Sequence, residues 1–239
     1  MFSMESGIKF SISIDRLFRY HLTGIGIFAL AQVFLVAAVW LFGFTNMKGL
    51  TPLFSLEGEG NLPTLFSAAA LALLAAACLL CVKNARNGER IFWQAMAAAF
   101  LFLAVDEATS IHEYLSAAIQ KPLHATGAFG RAWVIPYGIA AAIFGALTLK
   151  KLLGLPPNTR NGLVIAGTLY VAGAVGFEML ESFMVERAFA RTMVNILFYD
   201  FCVLCEEGLE MLGVALALRT SLLHFTGGAR NLNVAVAAP

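Results

Sequence analysis

Residues 63–82 read PTLFSAAALALLAAACLLCV, without a charged side chain. A helix needs about 20 mostly apolar residues to cross the roughly 30 Å hydrocarbon core of a bilayer, and this stretch supplies them. It runs in blocks of Ala and Leu rather than in apolar/polar alternation, so it reads as a helix and not as a barrel strand. Five further stretches repeat the pattern, at 22–44, 91–113, 133–150, 162–184 and 195–218. The breaks between them are polar and turn-rich, as in Glu57–Asn61 (EGEGN), Lys83–Arg90 (KNARNGER) and Pro156–Arg160 (PPNTR). The expected fold is all-α: a polytopic membrane protein built as a bundle of six transmembrane helices.

Composition agrees. The 239 residues are 59% hydrophobic and 13% charged, against about 45–50% and about 25% in soluble domains. A net charge of +1 gives no field that would draw nucleic acid. The expected partners are membrane lipid and a lipophilic substrate. The first apolar stretch is too long for a cleavable signal peptide, and no small-x-small site follows it. The expected organisation is a cytoplasmic segment at 1–21, the six-helix domain at 22–224 and a flexible cytoplasmic tail at 225–239.

Basic residues sort by side. Lys9, Arg16 and Arg19 precede the first span, Lys83, Arg86 and Arg90 follow the second, Lys150, Lys151 and Arg160 follow the fourth, and Arg219 and Arg230 follow the sixth. The other loops carry fewer: Lys48, then Lys121 and Arg131, then Arg187 and Arg191. The positive-inside rule then gives an N-in/C-in topology. A multi-pass protein of the cell inner membrane is the expected setting. The four Cys form two CxxC pairs, Cys78/Cys81 and Cys202/Cys205. In this topology they lie at opposite depths and cannot share a metal, so they read as small buried apolar residues.

The acids carry the functional signal. Of fifteen Asp and Glu, six lie in tails, loops and span ends; the other nine fall inside three spans. They are Asp106, Glu107 and Glu113 in the third, Glu178 and Glu181 in the fifth, and Asp200, Glu206, Glu207 and Glu210 in the sixth. No Lys or Arg lies within those segments. Each buried charge costs at least about 2.5–3.5 kcal/mol on insertion scales. Nine such carboxylates must be protonated, bind cations or line water.

Helical spacing aligns them. Asp106, Thr109, Ser110 and Glu113 share one face of a continuous third helix, with His112 beside it. Glu178, Glu181 and Ser182 share a face of the fifth, and Asp200, Glu207 and Glu210 a face of the sixth. Carboxylates and one imidazole projecting inward from bundled helices are how dimetal carboxylate sites are built. The expected metal ligands are therefore Asp106, His112, Glu113, Glu178, Glu181, Glu207 and Glu210. Glu206 and Glu107 are the expected catalytic bases. The expected cofactor is a divalent metal ion, with iron, manganese or zinc the leading choices. The reaction would be oxidative or hydrolytic, on a substrate entering from the lipid. A cation or proton transporter using the same acids is the alternative. A purely structural role would explain one or two such acids, but not nine.

Other motifs fail. His112-Glu113 lacks the second His of HExxH, because Ser116 stands there. Glu206-Glu207 lacks the Arg of the EExxxR box of CAAX-type intramembrane proteases, because Met211 stands there. Trp133 reads as an interfacial anchor, and Arg131 as a partner for Glu186 or Glu113, or for an anionic lipid head group.

Overall fold

The structure, a computed structural model, describes residues 8–43, 47, 49–86, 88–186 and 193–236. It is almost wholly helical. In chain order come a strand β1 (Ile8–Ser13), helices α1 (Ile14–Phe42), α2 (Thr51–Phe54), α3 (Leu62–Asn84), α4 (Arg90–Thr109), α5 (Ile111–Ile119), α6 (Val134–Leu153), α7 (Pro157–Val171), a π-helical segment (Ala172–Phe177), α8 (Glu178–Glu186), α9 (Met193–Phe225) and a strand β2 (Asn231–Val236). Among the described residues five helical runs are long and apolar enough to cross a membrane: α1, α3, α4, α6 and the continuous stretch Pro157–Val185. This is the composition of a membrane protein. The 33-residue α9 carries four acids and Arg219.

Local chemistry sets the boundaries. Ser13 caps α1 by accepting the Arg16 N–H at 3.3 Å, and Gly43 ends it in a left-handed conformation (φ 67°). Asn61 caps α3 by accepting the Thr64 N–H at 3.0 Å, with Pro63 in the first turn. Both are the caps those residue types favour. The expected continuous helix over 91–113 does not form. It stops at Thr109, Ser110 takes a left-handed conformation (φ 53°), and α5 starts anew. Asp106 holds this corner, because its Oδ1 accepts the His112 backbone N–H at 2.9 Å. Thr109 turns to its own backbone, donating to the Val105 carbonyl at 2.6 Å.

The core lies between α3, α4, α7 and α9, around Leu71, Leu74, Trp93, Leu163, Val214 and Leu218. Helices α7 and α9 touch backbone to side chain through glycines. A Cβ on Gly162 would come 2.5 Å from Thr220 Oγ1, and one on Gly213 2.8 Å from the Ala166 carbonyl. Small residues permit such approach between membrane helices. Helix α6 stands off from this core; of its residues only Val134 is buried.

The basic ends of the helices meet. Asn84 donates to the Phe225 carbonyl at 3.3 Å, Thr159 bonds His224 Nδ1 at 3.1 Å, and Trp93 stacks on His224 at 4.9 Å. Both chain ends join them. β1 pairs antiparallel with β2, from Ile8 opposite Val236 to Ser13 opposite Asn231, and Asp15 pairs with Arg219 at 2.9 Å and Arg230 at 2.8 Å. The segment expected as a flexible tail over 225–239 thus contains the end of α9 and a paired strand. The segment expected as cytoplasmic over 1–21 contains the first turns of α1. All four Cys are free thiols; Cys81 donates to the Ser221 carbonyl at 3.3 Å, toward the basic end.

Candidate metal centre

The opposite end of the bundle gathers the acids. Glu178 and Glu181 open α8 directly after the π-helical segment, and Glu206 faces them from α9. One carboxylate oxygen of each lies within 4.8 Å of the others. All three are buried, at 2%, 1% and 9% exposure. The π segment and Gly173 create this juxtaposition. A Cβ on Gly173 would stand 2.6 Å from the Glu206 carbonyl oxygen and 2.9 Å from Glu210 Cγ, so glycine alone lets the segment lie on α9 there. Single-turn π segments recur at functional sites.

A cation enters from outside the spans. Arg131, in the loop before α6, sends Nη1 to Glu178 Oε2, and Nη2 to Glu181 Oε2 and the Tyr199 hydroxyl, each at 3.4 Å. The expected pairing of Arg131 with Glu186 or Glu113 is corrected: the loop folds back into the bundle and brings it to Glu178 and Glu181. The same loop seats Trp133, whose Nε1 donates to Glu178 Oε1 at 2.8 Å. Trp133 is buried, not an interfacial anchor. Ser182 pins the loop by accepting the Arg131 backbone N–H at 3.0 Å and donating to the Gly127 carbonyl at 2.8 Å. Arg187 and Arg191 lie outside the described residues, as does the Glu186 side chain.

Three carboxylates face one guanidinium, leaving two negative charges if all are ionised. Both Glu178 oxygens are engaged, by Arg131 and Trp133. Glu181 Oε1 is buried with no hydrogen-bond partner among the described residues. A buried unpartnered carboxylate oxygen is costly. A divalent ion bound between Glu181 and Glu206 would satisfy the oxygen and neutralise the excess.

A second constellation lies beside the first. Asp106, 6% exposed, accepts from the His112 backbone, from the Tyr137 hydroxyl at 2.8 Å and from the His112 ring, whose Nδ1 is 3.1 Å from Oδ2. Its lone pairs are largely spent on protein donors. The His112 ring stands edge-on to Trp133 at 5.2 Å, and its Nε2 is 3.6 Å from Glu59. Burial opposes the imidazolium, but the Asp106 hydrogen bond and the charges of Asp106 and Glu59 outweigh it, so His112 titrates above its usual value. Partial burial, aided by Glu113, raises Glu59. Burial also works against the Arg131 charge, yet Glu178 above all holds it firmly protonated.

Both constellations border one cavity of about 1500 Å³. Glu107, Glu207 and Glu210 line it below the three-carboxylate cluster, and Glu113 lines its exposed rim. The seven expected ligands therefore divide. Glu178 and Glu181 meet Glu206, which sequence reasoning had assigned as a base. Asp106 and His112 pair with each other. Glu207 and Glu210 share the cavity, as does Glu107. Glu113 stands apart, because the break at Ser110 turns it off the face of α4. Sequence reasoning missed Arg131, Trp133 and Tyr137 as site residues. Their signal is the compact run Gly130-Arg-Ala-Trp133 before α6, which joins a charge and an indole donor at a span's entry.

The family model described as Domain of unknown function (DUF8692) matches residues 25–225, and the chain belongs to that family. No curated protein and no solved structure matches the chain.

Proposed function

We propose that this member of the family is a metal-dependent enzyme of the inner membrane acting on a lipophilic substrate. One observation carries the reading: three buried carboxylates converge at one guanidinium, with Glu181 Oε1 left unpartnered among the described residues. Glu178, Glu181 and Glu206 would hold the ion. An all-oxygen donor set suits manganese or iron better than zinc, which favours nitrogen and sulfur. A bound ion would supply Lewis acidity toward water or dioxygen. Asp106 orients His112 through Nδ1, and Glu107 borders the same cavity; these two are the groups available to accept a proton.

The pairing of β1 with β2 brings the start of α1 to the end of α9. That supports an even number of crossings, hence α9 as the sixth span. The clustering of basic helix ends supports N-in/C-in by the positive-inside rule. A transporter using these acids is the competing reading. Below Glu210 the cavity wall turns to Phe144, Gly167, Val214 and Ala217, and the hydroxyls of Thr148 and Thr168 there donate to their own helix backbone, whereas an ion path needs polar lining across the core.

The test pairs two measurements on purified protein. An enzyme of this kind retains about one to two metal equivalents through purification and gives no proton or cation flux in proteoliposomes. Metal lost on purification, together with flux abolished by Glu181→Gln, would establish the transporter instead.

A further inference from the structure

We propose that the cavity below the carboxylates is a channel for one acyl chain of a diacyl glycerophospholipid, entered sideways from the bilayer between α6 and α7. The proposal rests on the enzyme reading above and assigns its substrate class. The cavity's volume of about 1500 Å³ exceeds the about 300–1,000 Å³ of ordinary small-molecule pockets. Its polar end holds the carboxylates. Below the acids its apolar wall on α4 runs from Leu103 to Phe92, about 16 Å at about 1.5 Å per residue, which matches the about 15 Å of a single leaflet, half the hydrocarbon core. A lipid whose head sits at the acidic end would thus fit its chain to the cavity's length.

The side opening follows from packing. Helix α6 packs its first turns, Val134 and Tyr137, at Ala174 and otherwise approaches the bundle through α4, while on α7 the lining residues Val164 and Val171 remain 45% and 50% exposed. Two glycines lie on the helices that bound the opening, Gly145 on α6 and Gly167 on α7. Both line the cavity, and a Cβ on either meets nothing within 4 Å. Helix-interior glycine is unfavourable by about 1 kcal/mol relative to Ala, yet no close helix contact here requires it, unlike Gly162 or Gly213. Vacant space in front of both is what a passing hydrocarbon chain needs. A Cβ can therefore be added at both positions without meeting a described residue.

The experiment titrates detergent-purified protein with dioleoyl phosphatidylethanolamine and reads bound lipid by native mass spectrometry, with metal content measured on the same samples. The variants are Gly145→Leu, Gly167→Leu, the double variant, and Gly26→Leu. A Cβ on Gly26 in α1 also meets nothing within 4 Å, but Gly26 does not line the cavity. The expected result is saturable binding to wild type and to Gly26→Leu. Binding should weaken by about tenfold in the double variant, the loss of about two buried methylenes, with metal content unchanged. Dihexanoyl phosphatidylethanolamine, too short to reach the plug, should bind all variants alike. Equal dioleoyl binding in the double variant would overturn the proposal, as would tighter binding of free oleate than of the phospholipid. Wild type without metal but with the plug-sensitive lipid binding would sink the enzyme reading and leave the channel standing.

Discussion

Arg131 reaches from the loop before α6 into the bundle and closes on Glu178, 47 residues along the chain. This ion pair sets a half-buried positive charge among buried carboxylates that would otherwise be expensive. Arg131→Gln should therefore destabilise the protein strongly, by about 3–5 kcal/mol, because two buried carboxylates lose their cation. Glu178→Gln in that background should recover part of the loss. A double-mutant cycle from denaturant unfolding in detergent measures it, and strictly additive losses would show that the pair does not couple.

The clasp between His112 and Asp106 gives a pH dependence. Because the His112 pKa is raised in the folded protein, its contribution is fully present below the unfolded value of about 6.5. It is lost as pH rises through the higher folded value. The thermal midpoint of wild type should fall across that window relative to His112→Gln, which has no such transition. Parallel curves for the two proteins would contradict the clasp.

Glycine contacts predict opposite outcomes at chemically identical changes. Gly173→Ala would drive a Cβ to 2.6 Å from the Glu206 carbonyl and should cost about 1–3 kcal/mol by overpacking. It should also weaken metal retention, because it pushes α8 from α9. Gly26→Ala meets open space and should be neutral or stabilising by up to about 1 kcal/mol through helix propensity. Thermal shift and metal content on both variants test the contrast.

Much of the architecture is legible from residues such as 63–82, because a run of apolar side chains one bilayer long has few alternatives. Helical spacing likewise puts Glu178 and Glu181 together. Three features escape this logic. The break at Ser110 depends on the Asp106 side chain capturing the His112 backbone, which periodicity treats as a continuing helix. The convergence of Glu206 with Glu178 depends on a π segment and on Gly173, neither of which an ideal 3.6-residue repeat contains. Arg131 lies in a loop, where sequence proximity to span ends points to Glu186 or Glu113, and only the tertiary fold brings it to Glu178 and Glu181.

The most direct test of the metal centre is elemental analysis of the detergent-purified protein beside Glu181→Gln and Glu206→Gln, with each first confirmed folded by its thermal transition. About one to two equivalents of manganese or iron in wild type, lost in both variants, is the result the account predicts. A wild-type protein that stays metal-free after incubation with manganese, iron and zinc, or one whose metal survives in both variants, would contradict it.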